Sequence, residues 1–196
     1  MEFTEVVRKR RMVRHFTPEP LPAETIERIV SLAQHAPSAG FSQGVVFVAV
    51  TDEKLRKQVG TLSSEESYVT GGFDPFISEA PLQIVICTSE KVYHDRYNER
   101  DKKPDGEDEI EWPIPYWHTD AGCSLMLVLL AGVDEGLGTA FVGAPDPKGL
   151  QALLSIPEDY VPIGVAMFGY AAPDKKSPSL KRGRRSVDDV LHLNGW

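Results

Sequence analysis

Two short segments near the ends of the sequence carry about half of its positive charge. Residues 8–14 hold five cations in seven positions, and residues 175–185 hold six more of the chain's 21 lysines and arginines. Residues 15–174 carry 25 acidic and 10 basic side chains, and the whole chain has a formal net charge of −8. Like charges crowded in this way repel one another unless an anion or an acidic surface lies between them. The pattern predicts a site for one small phosphorylated ligand, closed by both ends of the chain.

The other side chains that could do chemistry form no recognisable catalytic group. The five histidines have no metal-binding spacing, and Cys87 and Cys123 are predicted to lie within a strand and a helix. Gly136, Gly138 and Gly143 follow a predicted helix and precede a strand, which is the reverse of the order in a dinucleotide fingerprint. The sequence therefore predicts no metal site and no covalent catalysis, and it favours a cofactor that brings its own chemistry.

The overall charge and the apolar runs argue against two classes of partner. An acidic chain does not favour nucleic acid or an anionic membrane surface. The longest uncharged apolar run, residues 121–133, is shorter than the roughly 20 residues that cross a bilayer. The N-terminal residues do not resemble a signal peptide, and with only two cysteines the expected compartment is a reducing cytoplasm.

The elements that would position the cationic segments follow from hydrophobic periodicity. Helices are predicted at residues 2–10, 23–34, 117–135 and 146–154, and strands at 45–50, 82–87, 161–168 and after Gly138. The uniformly apolar centre of the 117–135 helix indicates burial on all sides, and hence a partner subunit. A capping box at residues 186–189 predicts a last short helix.

Two segments between these elements leave alternatives open. Residues 36–43 are small and polar, so their backbone could approach a flat ligand closely, although taken alone they are typical of a plain helix-to-strand connector. Residues 90–112, with the acidic run 107–111, have the composition of a solvated loop. Their tyrosines and the return through Trp112 and Trp117 also allow a lid over a ligand.

Five short motifs resemble those of the FMN-dependent nitroreductase family in order and spacing, over nearly the whole chain. They are Arg-Arg-x-Val-Arg-x-Phe at residues 10–16, Ala-Pro-Ser-Ala-Gly-x-x-Gln at 36–43, Glu-Ala-Pro at 79–81, Asp-Ala-Gly at 120–122 and Gly-Leu-Gly-Thr at 136–139. The resemblance implies an α+β fold, a three-layer α/β/α sandwich around a mainly antiparallel sheet, as a single domain over residues 1–196. It also implies an intertwined homodimer with FMN at the subunit interface.

Site residues are carried over from the resemblance position by position. Cationic and neighbouring residues would hold the FMN phosphate and ribityl chain, the 36–43 loop would lie along the flavin, and a glycine-ended strand would cover its other side. The implied cofactor-binding residues are Arg10, Arg11, Met12, Arg14, Pro37, Ser38, Ala39, Gln43, Phe141, Val142, Gly143, Ala144, Arg182 and Arg184. A backbone N–H of Gly143 or Ala144 would point towards flavin N5.

The resemblance implies ping-pong chemistry in which NAD(P)H reduces FMN and a small organic acceptor, such as a nitroaromatic or a quinone, then takes its place. No acid or base side chain is obligatory. Residues 90–117 would form the acceptor-side lid, with Phe41, Tyr93, Arg96, Tyr97 and Trp117 as the implied acceptor-binding residues. Alanine at Arg96 or Tyr97 is then expected to change acceptor kinetics and leave FMN affinity unaltered.

Three departures from the family pattern affect substrate choice more than flavin binding. Met12 stands where the family often has serine, Phe41 where asparagine is common, and Gly44-Val45 where Pro-Trp is usual. Other chemistries on the same fold remain open, among them reductive dehalogenation, enone reduction and dehydrogenation. Two further alternatives are a non-catalytic flavin store and a fold whose arginines merely pair with the acidic middle of the chain.

Overall fold

A four-stranded antiparallel sheet forms the middle layer of the protein in a computed structural model, which describes residues 1–103 and 108–196. Its strands are β1 (Val45–Val50), β2 (Leu82–Thr88), β3 (Gly138–Gly143) and β4 (Val161–Gly169), in the order β1-β2-β4-β3. The order leaves β3 as an edge strand, and the N-terminal residues reach that edge through a bridge between Met12 and Thr139.

Helices cover both faces of this sheet. They are α1 (Phe3–Lys9), α2 (Ala23–Ala33), α3 (Glu53–Leu62), α4 (Glu65–Thr70), α5 (Phe76–Glu79), α6 (Glu90–Tyr97), α7 (Tyr116–Asp134) and α8 (Pro147–Leu154). Within the 1–103 and 108–196 ranges, no helix has the length and apolar character needed to span a bilayer.

The two faces of β2 explain the three layers. Leu82, Ile84 and Ile86 are fully buried against α2 and α7, while Val85 and Cys87 are fully buried against α3, α5 and α8. Successive side chains of a strand point to opposite faces, so a strand that is buried at every position must be covered on both sides. The predicted α+β three-layer fold is confirmed, and the three strands predicted with bounds lie within one residue of the observed ones.

The segment after β2 differs from its prediction as a solvated loop. Residues 90–97 form helix α6, whose N-terminus is capped by Ser89. Among the described residues between α6 and α7, 98–103 and 108–115 are irregular. Tyr93 is the one buried residue of α6, so no apolar stripe marks the helix in the sequence. Residues 104–107 lie outside the described ranges. They belong to the predicted lid, and residue 107 is the first of the predicted acidic run.

The predicted C-terminal helix is also absent among the described residues. Ser186 and Asp189 do form the reciprocal bonds of a capping box, since the Asp189 N–H donates to Ser186 Oγ at 3.2 Å and the Ser186 N–H to Asp189 Oδ2 at 3.1 Å. Only a turn follows at residues 188–190. The cap is present, but an isolated turn is too short to propagate a helix without tertiary packing.

Candidate functional site

The arginine-rich segment lies along the open edge of β3. The Val13 N–H donates to the Thr139 carbonyl at 2.9 Å, and the Phe141 N–H donates to the thioether sulfur of Met12 at 3.4 Å. The structure therefore brings the predicted phosphate-binding segment against the predicted flavin-covering strand, 129 positions away in the sequence. The Met12 sulfur therefore accepts a hydrogen bond from Phe141, whose N–H lies on the edge strand β3 and would otherwise face outward.

Asp174 anchors this segment, and sequence reasoning did not find it. Its carboxylate accepts the Arg14 N–H at 2.9 Å and the Arg11 guanidinium at 3.2 Å. The Asp174 side chain is 9% exposed and that of Arg11 is 54% exposed. Arg11 is thus partly neutralised by the chain itself, as the hypothesis of internal pairing requires.

Arg14 is not neutralised in this way. Its guanidinium carbon lies 4.9 Å from the centroid of the Phe73 ring, a cation–π contact, and its Nε is buried. In residues 1–103 and 108–196 this Nε finds no hydrogen-bond acceptor. The rest of the Arg14 side chain is partly exposed, and no described acidic side chain forms an ion pair with it. An unpaired, partly exposed guanidinium can bind phosphate oxygens, so the site fits the phosphate group of FMN.

The two C-terminal arginines are not brought to this point by the chain's own fold. Arg182 and Arg184 lie in a wholly exposed segment, residues 178–196. In the described part of the chain neither side chain has a hydrogen-bond or ion-pair partner, whereas the neighbouring Arg185 donates to the Asp189 carbonyl. Their implied role as a second phosphate clamp remains a prediction.

The 36–43 loop adopts a tightly constrained path. Gly40, Phe41 and Gln43 have φ values of 61°, 58° and 56°, all in the left-handed region. The Gln43 N–H donates to Ser38 Oγ at 3.1 Å, and Ser42 Oγ donates to the Ala39 carbonyl at 2.6 Å. A cavity of about 240 Å³ adjoins the loop and is lined in part by Pro37, Ser38 and Gln43. The loop therefore has a fixed conformation beside a cavity, and its place along the flavin stays a prediction.

The residues of β3 contribute unequally to the implied flavin face. Val142 is only 4% exposed and packs into the core, so it can offer a ligand little beyond its backbone. The ring of Phe141 packs on Gly164, where an added Cβ would lie 2.3 Å from the ring. Gly143 is exposed, with nothing within 4 Å of the position its Cβ would take, and Ala144 is partly buried. This open end of β3 leaves room for a planar ring.

Tyr93 is not placed where an acceptor could touch it. Its side chain is fully buried, and its hydroxyl donates to Asp120 Oδ2 at 2.8 Å. Burial, and secondarily this hydrogen bond, raises the pKa of Tyr93, which keeps the phenol protonated as a donor. Tyr93 has no exposed surface with which to bind a substrate, and the structure gives it a supporting position instead.

The other implied acceptor-binding residues differ in their availability. Phe41 is 73% exposed. Arg96 is held by other residues of the chain, since its Nε donates to the Gly40 carbonyl at 2.9 Å and its terminal nitrogens bind Asp101. The hydrogen bond from Arg96 lowers the pKa of Asp101 to about 2. Tyr97 and Trp117 are half-buried in an aromatic cluster around Trp112, at centroid distances of 4.6 and 5.9 Å from it.

Glu109 joins this aromatic cluster to α6. Its carboxylate accepts hydrogen bonds from His94 Nδ1 at 2.6 Å, Trp112 Nε1 at 2.6 Å and Asn98 Nδ2 at 2.9 Å. Burial opposes ionisation of Glu109, but the three donors together outweigh it and lower its pKa. The hydrogen bond to Glu109 is the largest of the effects that raise the pKa of His94 above its ordinary value of 6.5.

The His94–Glu109 pair predicts a pH-dependent contribution to stability. A histidine whose pKa is raised by folding stabilises the fold fully below about pH 6.5 and loses this contribution as the pH rises through the raised pKa. The melting temperature of wild type should therefore exceed that of Glu109→Gln most at about pH 5.5. The difference should shrink towards about pH 9, because both chains then carry a neutral imidazole.

Thermal melts of the two chains across this range, with the exposed Glu158→Gln as control, measure the effect. A melting-temperature difference that stays constant with pH would show that the pair contributes no pH-dependent free energy.

The site offers little acid, base or nucleophile of its own. Burial raises the pKa of the Cys87 thiol to about 12, so it is not a thiolate at neutral pH. Across residues 1–103 and 108–196, no group of three or more metal-binding side chains is gathered. What the site can supply is an anion clamp, an open strand end and an ordered loop, which are the parts needed to hold a cofactor.

Comparison with known proteins agrees with this arrangement. The sequence profile of the Nitroreductase family matches residues 7–170, and the chain belongs to that family. The structure superposes on that of Bacillus megaterium NfrA2 with a TM-score of 0.79 at 24% identity, over 100% of this chain and 75% of the other, which shows the fold.

Three curated relatives carry three different names. A putative NADH dehydrogenase/NAD(P)H nitroreductase of Archaeoglobus fulgidus is 27% identical, over 100% of this chain and 99% of its own length. An iodotyrosine deiodinase of Nematostella vectensis is 28% identical, over 98% of this chain and 75% of its own. An FMN reductase [NAD(P)H] of Bacillus subtilis is 26% identical, over 93% and 69%.

Proposed function

We propose that this protein is an FMN-containing, NAD(P)H-dependent oxidoreductase that reduces a small organic acceptor. The observation that carries the proposal is Arg14, whose partly exposed guanidinium forms no ion pair in the described part of the chain and whose segment lies against β3. Membership of the nitroreductase family and the relative named FMN reductase [NAD(P)H] support the cofactor and the electron donor.

When bound, FMN supplies the chemistry, because it can take two electrons from NAD(P)H and pass them to an acceptor. The chain's own residues bind and orient it. Arg10, Arg11 and Arg14 hold the phosphate, and arginine suits this because its planar fork binds phosphate oxygens in pairs. Residues 37–43 and the open end of β3 would border the ring system. The backbone N–H of Gly143 or Ala144 would stabilise the negative charge that reduction places on it.

The acceptor, in this proposal, lies over the exposed side of the loop. Phe41 is a bulky residue held at positive φ, and 73% of its surface is exposed. This arrangement costs free energy, which suggests that the exposed ring has a function. The Tyr97 ring lies against Gly40 of the same loop, and Trp117 packs in the aromatic cluster that contains Tyr97. The segment that contains them, residues 90–117, is the proposed acceptor side of the site, within one domain over residues 1–196.

We infer further that the protein works as a homodimer. Residues 178–196 are exposed throughout, and this segment includes large apolar side chains that one chain does not cover. Met126 on α7 is likewise 47% exposed. The exposed apolar residues of the segment include Leu180, Val187, Val190, Leu191, Leu193 and Trp196. A second copy would bury these surfaces and bring Arg182 and Arg184 to the phosphate.

Neither nucleic acid nor a membrane is among the proposed partners, since the net charge is −8. The free cysteines Cys87 and Cys123 fit a reducing cytoplasm, which is the proposed compartment.

Reductive dehalogenation is the second candidate activity, because relatives of similar identity include the iodotyrosine deiodinase of Nematostella vectensis. It requires the same cofactor and the same donor and differs only in the acceptor. The two activities are therefore distinguished by which acceptor reoxidises the reduced flavin, and not by the flavin itself.

The test is the visible spectrum of the purified protein under nitrogen, before and after NADH or NADPH. Flavin bands that bleach, and return on addition of a nitroaromatic, a quinone or an iodotyrosine, support the oxidoreductase and identify its acceptor. Bands that never bleach would indicate a non-catalytic flavin store. A colourless protein that cannot be reconstituted with FMN would contradict the cofactor assignment.

A further inference from the structure

The backbone conformation of the 36–43 loop is strained, so it requires contacts from outside the loop. Two of its three left-handed residues, Phe41 and Gln43, are not glycine, and each such residue costs on the order of 1 kcal/mol. Strained backbone of this kind persists only where surrounding groups fix it from outside. The groups that fix this loop come from α6 and α7, far from it in the sequence.

Asp120, at the N-terminal end of α7, is the first of these groups. Its side chain is 6% exposed, and its Oδ2 accepts both the Ala39 N–H at 2.8 Å and the Tyr93 hydroxyl at 2.8 Å. One carboxylate oxygen therefore joins the loop, α6 and α7. Hydrogen bonds to a buried charged acceptor are stronger than neutral ones, so this joint is a firm one.

Arg96 on α6 is the second group. Its Nε donates to the Gly40 carbonyl at 2.9 Å, at the first left-handed residue of the loop. Bonds to Glu99 at 2.9 Å and to Asp101 at 2.6 Å hold the guanidinium from its other side. The Arg96 side chain is 21% exposed, so it is enclosed rather than reaching into solvent.

The aromatic rings of α6 complete the support. A Cβ at Gly40 would lie 2.5 Å from the Tyr97 ring, and one at Gly44 would lie 2.6 Å from the Tyr93 ring. Only glycine permits such close approach at these two positions. Gly44, one of the departures from the family pattern that the sequence suggested, is thus explained by the packing of Tyr93.

We propose that Asp120 and Arg96 are positioning residues that hold the 36–43 loop in its flavin-binding path, and that α6 is a fixed support of the flavin site. This inference rests on the proposed function, because it takes the loop to be part of the FMN site. It also revises the expectation for Arg96: its removal should weaken FMN binding as well as alter acceptor kinetics.

The test uses four single variants of the full chain. Asp120→Asn keeps an acceptor oxygen but removes the charge, and Arg96→Ala removes the donor to Gly40. Each should raise the dissociation constant for FMN about tenfold, the factor expected for one charge-assisted hydrogen bond. Tyr93→Phe, which leaves the Ala39 bond in place, should have a smaller effect, and Arg96→Lys should restore part of the affinity.

Two measurements separate positioning from general destabilisation. FMN affinity is titrated well below the melting temperature of each apoprotein, and the visible circular dichroism of bound flavin is recorded at saturation. A displaced loop changes both, whereas a merely destabilised fold changes only the melting temperature. Glu53→Gln and Lys54→Ala, both exposed on α3, are the matched controls and should bind FMN as wild type does.

Two results would overturn the inference, and they differ. If wild type binds FMN and the Asp120 and Arg96 variants match their controls in affinity and dichroism, the positioning role is wrong while the proposed function stands. If wild type binds no FMN under any reconstitution, the proposed function fails and takes this inference with it.

Discussion

Replacing Arg14 by alanine is expected to weaken FMN binding roughly 100-fold, the loss that accompanies removal of two hydrogen bonds to a phosphate dianion. Arg14 should matter more than Arg11, because Asp174 already neutralises Arg11 at 3.2 Å. Arg14→Lys keeps the charge but loses the planar fork, so it should recover only part of the affinity. Fluorescence titration with FMN of the apoproteins of Arg14→Ala, Arg14→Lys and Arg11→Ala measures the three affinities.

Arg8→Ala provides the control for net charge. Arg8 belongs to the same cationic segment but lies exposed on α1, ahead of the residues that follow the β3 edge. If the cluster acts only through its overall field, Arg8→Ala and Arg14→Ala will weaken binding equally and the loss will disappear at high salt. If Arg14 binds the phosphate directly, its loss persists in salt and that of Arg8 does not exceed about twofold.

The sheet and the long helix could be predicted because their patterns are local. Strand β2 is apolar at nearly every position, and α7 carries one long uncharged run, so periodicity alone marks both. Helix α6 could not be found in this way. It buries only Tyr93 and carries charged pairs such as Lys91 with Asp95 at helical spacing, a pattern shared by solvated loops.

The sequence predicted the charged residues of the candidate site, but it did not predict the residues that hold them and the loop in place. The arginine cluster is visible as composition, but the acceptors that orient it are not. Asp174 lies 160 positions from Arg14, and Asp120 lies 81 positions from Ala39, so neither pairing leaves a local signal. The Asp-Ala-Gly motif at residues 120–122 was visible in the sequence, yet nothing in it reveals that the carboxylate points at the loop.

Tyr93 shows the same limit from the other direction. A tyrosine in a polar segment is typical of a binding surface, because its ring and hydroxyl suit an interface. Here the hydroxyl is satisfied by Asp120 inside the protein, which allows full burial of the ring. Whether a tyrosine faces a ligand or the core depends on whether a hydrogen-bond acceptor for its hydroxyl lies inside the protein. The sequence does not show that Asp120 is such an acceptor for Tyr93.

Removing residues 178–196 is expected to produce a monomer that has lost its FMN. These residues are exposed in the single chain, so the remaining fold should keep its helices and sheet. Leu180 and Leu193 expose 69% and 78% of their surface, and Trp196 is completely exposed. Burial of each side chain on a second copy would contribute about 1.5–3 kcal/mol. Light scattering for mass, circular dichroism for fold and FMN titration measure the three consequences.

A full-length Arg182→Ala, Arg184→Ala double variant separates the two roles of this segment. It keeps every apolar side chain, so it should remain a dimer with the wild-type mass, yet bind FMN roughly 100-fold more weakly through the loss of two phosphate ligands. If the shortened chain remains a dimer with its full complement of FMN, neither role belongs to this segment. If the double variant dimerises and binds FMN normally, the segment joins the subunits without contributing to the site. The phosphate would then be held by the N-terminal arginines alone, which would make the Arg14 variant the decisive one.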